Sequence, residues 1–192
     1  MKAKVIFGLF AVLAAVQVTV PVSQIWKHED ILATGRAYKF RTAPVDPYDA
    51  FRGRYVALGF AGTVTSIRAG DELGYRGHAY VGLEEGKDGF VRFKELSVMP
   101  PSAGDYLRVQ YLWGNNTNAS FALPFDRFYM EETAAPKAES AYREFGNRRS
   151  QTNDQTYVVV RVKGGRGVIE DLFIKDKPVR SFLKEQQGAS KK

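Results

Sequence analysis

The feature that most constrains this chain is an N-terminal run of 22 residues, Val5 to Trp26, that contains no charged side chain. At 1.5 Å per residue, a helix of that length spans the roughly 30 Å hydrocarbon layer of a bilayer. Lys2 and Lys4 precede the run, and Lys27 follows it. The two lysines on the short N-terminal side favour an N-terminus inside the cytoplasm and everything after Lys27 outside it. Residues 1–27 are therefore predicted to form a single-pass membrane anchor.

A cleaved signal peptide is the alternative interpretation of this segment. Ala11, Ala14 and Ala15 provide small residues for cleavage, but cleavage there would leave a very short apolar region and an apolar new N-terminus. The length of the run favours an uncleaved anchor. Pro21 is expected to disturb the last turns of the helix. A helix buried in a protein core is disfavoured because lysines flank the run and no charge interrupts it.

Composition excludes several classes of protein. The 192 residues suffice for one domain with a hydrophobic core after the anchor. The absence of cysteine excludes disulfides and thiolate metal sites. The net charge of +7 falls to +5 without Lys2 and Lys4, and this excess is dispersed along the chain. The charge therefore favours a solvated surface with weak attraction to anionic lipid head groups over nucleic-acid binding.

The remainder of the chain has the pattern of short strands joined by glycine-rich turns. The predicted strands are 36–42, 55–60, 62–67, 78–83, 90–93, 106–113, 121–123, 156–163 and 168–174. Asp88-Gly89 and the glycines at 164–167 are hairpin signals, and 136–145 has a composition compatible with a short helix. This pattern predicts an all-β, mainly antiparallel sandwich or barrel-like domain over 28–180, with at most a short additional helix. The polar, basic residues 181–192 are predicted to be a disordered tail.

A turn–glycine–strand unit occurs twice in the domain, at 46–60 and at 104–111. In the first copy, Asp46 and Pro47 make the turn, and Gly53 leads into a strand to which Tyr55, Leu58 and Phe60 are assigned as packing residues. The charged residues Asp46, Asp49, Arg52 and Arg54 lie close together here. A structural role in the turn is favoured over catalysis by paired carboxylates, and exposed ion pairs contribute only about 0–1 kcal/mol.

The first copy resembles the signature of the bacterial GDYxxLxY family of membrane-anchored proteins. The matching positions are Asp46, Pro47, Asp49, Phe51, Arg52, Gly53, Tyr55, Leu58 and Phe60, and the second copy supplies Gly104, Asp105, Tyr106 and Tyr111. Arg54 replaces the aspartate of the signature, Phe60 its final tyrosine and, in the second copy, Val109 its leucine. The resemblance covers roughly residues 5–175. It implies a single-pass protein of the bacterial cytoplasmic membrane, with its main domain in the periplasm or outside, that acts with a multipass membrane protein.

No residue pattern in the chain specifies a reaction. Signal-peptidase-like folds carry a serine nucleophile before a similar turn and a lysine base. Here the serine is absent, and Thr42 with Lys39 or Lys94 is a weak substitute for that pair. His28 and His78 are isolated, without carboxylates at metal-ligand spacing. The glycines at 164–167 lack the Lys-Ser/Thr of a phosphate loop. The sequence therefore predicts no catalytic residue, no metal and no cofactor.

We expect a noncatalytic accessory or interaction subunit that docks through loops and strand edges to a multipass membrane protein. A ligand-binding envelope module for glycan, peptide or lipid is the alternative, with the aromatic faces of the two glycine–tyrosine strands as its binding platform. A hydrolase of unknown type is the third interpretation. No nucleic-acid partner is predicted.

Overall fold

The computed structural model describes residues 2–44, 55–60, 62–71, 77–115, 117–146 and 156–189. Within these ranges the helices are α1 (Lys2–Thr34), α2 (Ala135–Phe145) and α3 (Val179–Ala189). The strands are β1 (Arg36–Pro44), β2 (Tyr55–Phe60), β3 (Val64–Ser66), β4 (His78–Glu85), β5 (Val91–Ser97), β6 (Tyr106–Gly114), β7 (Asn118–Ala122), β8 (Arg127–Tyr129), β9 (Thr156–Lys163), β10 (Arg166–Ile174) and β11 (Lys177–Pro178).

Helix α1 is long and apolar enough to cross a membrane, and no residue of its most apolar window is buried. Its 33 residues extend over about 50 Å. Pro21 lies inside the helix without ending it. The helix also continues past Lys27 to Thr34, and only Gly35 separates it from β1. The sequence-based boundary at residue 27 therefore falls within a continuous helix.

The end of α1 is fixed against strand β9. Lys163 Nζ donates to both carboxylate oxygens of Asp30, at 2.9 and 2.7 Å, and to Thr34 Oγ1 at 2.8 Å. A Cβ at Gly35 would lie 2.5 Å from the Ile31 carbonyl oxygen and 3.1 Å from that of Val162. Glycine is therefore required where helix and sheet approach each other most closely.

The strands form two antiparallel sheets that together make a nearly closed, barrel-like structure, as the sequence predicts. One sheet has the order β11-β10-β9-β1-β2-β8, and the other has the order β3-β7-β6-β4-β5. Parallel bridges join Lys39 to Phe90 and Leu107 to Gly165, linking the sheets, while Ile67 bridges Leu96 to draw β3 towards β5. The predicted hairpins β4–β5 and β9–β10 are confirmed.

Aromatic side chains from both sheets meet in the core. Phe40 of β1 lies edge-on to Phe125 at 5.4 Å between ring centroids, and Phe60 contacts the same ring at 5.5 Å. From the second sheet, Phe93 approaches Phe40 at 6.0 Å and Phe121 at 5.1 Å. Edge-to-face contacts of this kind add about 0.5–1.5 kcal/mol each to the burial of apolar area.

Two short helices pack on this core, whereas the sequence predicts at most one. The prediction of a disordered tail from residue 181 is wrong for the described residues, because α3 continues to Ala189. Val179, Phe182 and Leu183 are buried at helical spacing, and Phe182 contacts Phe145 of α2 with centroids 5.5 Å apart. Burial of one apolar face stabilises a helix whose average composition is polar.

Candidate functional site

The strands of the two glycine–tyrosine units are built alike, and they lie in different sheets. Each tyrosine begins a strand, Tyr55 in β2 and Tyr106 in β6. The position three residues later faces the core in both, where Leu58 is 4 % and Val109 1 % exposed. The repeated pattern therefore positions a core strand, and it leaves both tyrosines half-buried on the outer face. The assignment of Leu58 and Phe60 to packing is confirmed, whereas Tyr55 makes its aromatic contacts outside the main core.

Asp105 of the second copy holds the turn before β6 against β1. The Tyr38 hydroxyl donates to Asp105 Oδ2 at 2.8 Å, and Arg36 lies 3.7 Å from the same oxygen. Burial, together with this bond to a carboxylate, raises the pKa of Tyr38 to about 12. Asp105 therefore joins distant parts of the chain through a neutral phenol, which is a structural role.

Tyr55 and Tyr106, which begin β2 and β6, each pair with a second tyrosine. Tyr55 lies 5.6 Å from Tyr129 of β8, directly across the ladder, and the Arg127 guanidinium lies 5.0 Å from the Tyr55 ring centroid. Tyr106 lies 5.8 Å from Tyr80 of β4. These pairs mark two neighbouring grooves on the surface of the protein.

The remaining positions of the first copy, Asp46, Pro47, Asp49, Phe51, Arg52 and Gly53, lie outside the described residues, as does Arg54. Of the second copy, Tyr111 is buried on the inner face of β6, and Gly104 adopts a φ of +83° in the turn before it. Among the described signature residues, Leu58 and Tyr111 are thus buried in the core, whereas Tyr106 lines a groove.

The first groove, here called the helix groove, lies between the end of α1 and the Gly164–Gly167 turn and has a volume of about 550 Å³. Tyr106 forms part of its wall, and its ring covers Gly165, whose φ is +78°. A Cβ there would lie 2.6 Å from Tyr106 Cε2. The described lining carries three cationic side chains, Lys27, Arg108 and Arg166, and no carboxylate.

The second groove, here called the edge groove, lies between β8 and β10 and has a volume of about 570 Å³. Its lining mixes both signs of charge, with Asp126 and Asp171 beside Arg127 and Arg180. Burial raises the pKa of the Asp171 carboxyl above its ordinary value, even though the Leu172 N–H donates to it at 2.8 Å. His28 of α1 lines both grooves, so both open beside the helix.

The two histidines occupy separate positions. His28 Nδ1 lies 3.0 Å from the Gln24 carbonyl oxygen within α1, and His78 is exposed at the start of β4. Among the described residues, no group of three imidazole and carboxylate side chains is placed to hold a metal ion. Sequence reasoning missed the helix groove because its three cations come from distant segments and share no local motif.

These features define a class of protein: a barrel-like β domain whose first strand follows directly from a long, apolar N-terminal helix. The sequence model of the family described as GDYXXLXY protein matches residues 17–172. Since the match covers more than half of the chain, the chain belongs to the GDYXXLXY family, as its signature predicts. No curated protein and no solved structure matches the chain.

Proposed function

We propose that this protein is a membrane-anchored, noncatalytic interaction subunit. In this proposal α1 spans the bacterial cytoplasmic membrane with its N-terminus inside, and the β domain lies on the extracytoplasmic side. The partner is a multipass membrane protein that contributes an extended segment to the edge groove.

The exposed surface of α1 supports the membrane-spanning role. Its large apolar side chains are open to solvent in the isolated chain, with Phe7 at 71 % and Trp26 at 75 % exposure. An exposed apolar surface of this length is stable only when another apolar phase covers it. Lys27 follows Trp26 at the level where interfacial residues anchor a helix.

The outer edge of β8, which pairs with no described strand, is the observation that carries the docking proposal. Leu58 N–H donates to the Asp126 carbonyl at 2.8 Å, and Val56 pairs with Phe128 along the same ladder. Since hydrogen-bonded pairs alternate in an antiparallel ladder, the backbone groups of Arg127 and Tyr129 point away from β2 into the edge groove. Such an edge is a template for an added strand. Because His28 lines the same groove, a segment bound there lies close to the membrane surface.

Site-specific photo-crosslinking in intact membranes tests this proposal. A benzophenone amino acid at Tyr129, which is 63 % exposed, is expected to form an adduct with one multipass membrane protein, identified by mass spectrometry and recovered in reciprocal co-purification. The same amino acid at Trp113, 66 % exposed on the other sheet, is the matched control. An adduct of equal yield from Trp113, or the absence of a multipass protein among the Tyr129 adducts, contradicts the proposal.

A second pair of variants separates strand pairing from side-chain contact. With the crosslinker at Arg127, Tyr129→Pro is expected to abolish the adduct because it removes an outward-pointing N–H. Tyr129→Ala retains that N–H and is expected to weaken the adduct only partly. Equal yields from these two variants would show that the partner does not bind as an added strand.

A further inference from the structure

We infer that the helix groove is a binding site for the phosphate of an anionic lipid head group, held by Lys27, Arg108 and Arg166. This inference goes beyond the docking role proposed for the edge groove. It rests on the membrane-spanning placement of α1 that the proposed function makes.

The positive charge of the helix groove has no negative counterpart among the described residues. Lys27, Arg108 and Arg166 come from three different elements, and none of them forms an ion pair or side-chain hydrogen bond with another described residue. Elsewhere arginines lie against glutamates, as Arg161 does against Glu170 at 2.7 Å and Arg68 against Glu95 at 3.1 Å. Three cations converging on one groove without a described carboxylate in its lining make a local positive potential that attracts an anion.

The donors of the groove fit a phosphate group. Two guanidinium groups and one ammonium supply the charge-assisted hydrogen bonds that phosphate oxygens accept, and arginine presents its donors as a planar fork. Tyr80 and Tyr106 line the same groove, and their hydroxyls have no hydrogen-bond partner among the described residues. They are available as additional donors to a head group.

The position of the groove selects a lipid over a free ion. Its wall includes Gln24, Lys27 and Ile31, so it begins where the uncharged run of α1 ends. Ile25 and Trp26 are 58 % and 75 % exposed on the adjoining turn of the helix. A head group in the groove can therefore leave its acyl chains along the apolar surface of α1. Basic pockets beside membrane helices bind anionic head groups in this manner.

Lipid binding to the full-length chain in a nonionic detergent tests the inference. Native mass spectrometry compares phosphatidylglycerol with phosphatidylcholine of identical acyl chains, and the anionic lipid is expected to bind at least about tenfold more tightly. The double variant Arg108→Gln/Arg166→Gln is expected to lose that preference. Arg68→Gln, which removes one positive charge from a partly exposed position outside the groove, is expected to retain it. Circular dichroism of each variant verifies that the β domain is folded.

Three results would overturn the inference: equal binding of the two lipids, loss of the preference in Arg68→Gln, or its retention in the folded double variant. A competition experiment with inorganic phosphate distinguishes a lipid head group from a soluble anion. If millimolar phosphate alone occupies the groove and displaces phosphatidylglycerol, the site takes a soluble anion and the lipid assignment is wrong. Alkaline extraction of membranes from cells expressing the chain checks the placement of α1 separately. A chain that stays in the membrane but shows no lipid preference refutes this inference and leaves the proposed function standing.

Discussion

Replacement of Gly165 by alanine examines the contact that joins the second signature copy to the β9–β10 turn. Gly165 has a φ of +78°, where an alanine costs about 1 kcal/mol relative to the right-handed conformation. Its Cβ would also lie 2.6 Å from Tyr106 Cε2, so the ring must leave its packed position beside Tyr80. Displacement of a packed side chain costs roughly 1–3 kcal/mol. Gly165→Ala is therefore expected to lower the free energy of unfolding by about 2–4 kcal/mol.

Gly164 provides the matched control within the same turn. Its φ is +56°, and a Cβ there would meet no atom within 4 Å, so Gly164→Ala is expected to cost only the backbone component of about 1 kcal/mol. In a Tyr106→Ala background the steric component disappears, and the two glycine substitutions should then cost the same. Such a background isolates the coupling between Gly165 and Tyr106.

The assay is urea unfolding of the full-length chain in detergent, monitored by near-ultraviolet circular dichroism, which reports the packing of aromatic side chains rather than helix content. Free energies come from linear extrapolation, with the slopes compared between variants. Equal destabilisation by the two glycine substitutions in the native background would refute the reasoning, since the ring contact would then carry no energy. An undiminished difference in the Tyr106→Ala background would refute it equally.

Two further predictions concern the helices that pack on the barrel. Burial raises the pKa of Tyr142 from 10.0 to about 12, so the folded state holds this proton more tightly than the unfolded state. Its contribution is complete below pH 10 and is lost towards pH 12, at about 1.4 kcal/mol per pH unit. Tyr142→Phe should flatten that decline in urea titrations across this range, and an unchanged slope contradicts the assignment. In α3, Phe182→Ala is expected to cost about 3 kcal/mol, whereas the exposed control Lys184→Ala should change stability by less than about 0.5 kcal/mol; identical unfolding curves would mean that α3 does not stabilise the fold.

The strands could be predicted from the sequence because the residue patterns that produce them are local. In β1, Tyr38 and Phe40 face the core and alternate with exposed neighbours, and the Asp88-Gly89 pair closes the hairpin between β4 and β5. Helix α3 had a local signal too, since Val179, Phe182 and Leu183 have the spacing of one helix face. The overall polarity of residues 181–192 obscured that signal.

The candidate site could not be predicted in the same way, because its contacts are made between distant segments. Nothing near Asp105 in the sequence indicates that Tyr38 is its hydrogen-bond partner. Likewise Arg108 and Arg166 reach the same groove only because β6 meets the β9–β10 turn, where the Arg108 N–H donates to the Gly165 carbonyl at 2.9 Å. Local periodicity predicts which face of a strand is buried, but the register between strands decides which exposed side chains become neighbours.

Only Gly35 connects α1 to β1, so the helix determines how the β domain is rotated about the helix axis. Each residue of an α-helix advances about 1.5 Å and turns about 100°. If α1 spans the membrane, one residue inserted between Trp26 and Asp30 would turn the domain by about that angle around the helix axis. The edge groove would then face a different neighbour in the plane of the bilayer. The number of residues in α1, as well as the chemistry of the domain surface, thereby determines which side of the domain a membrane-embedded protein meets.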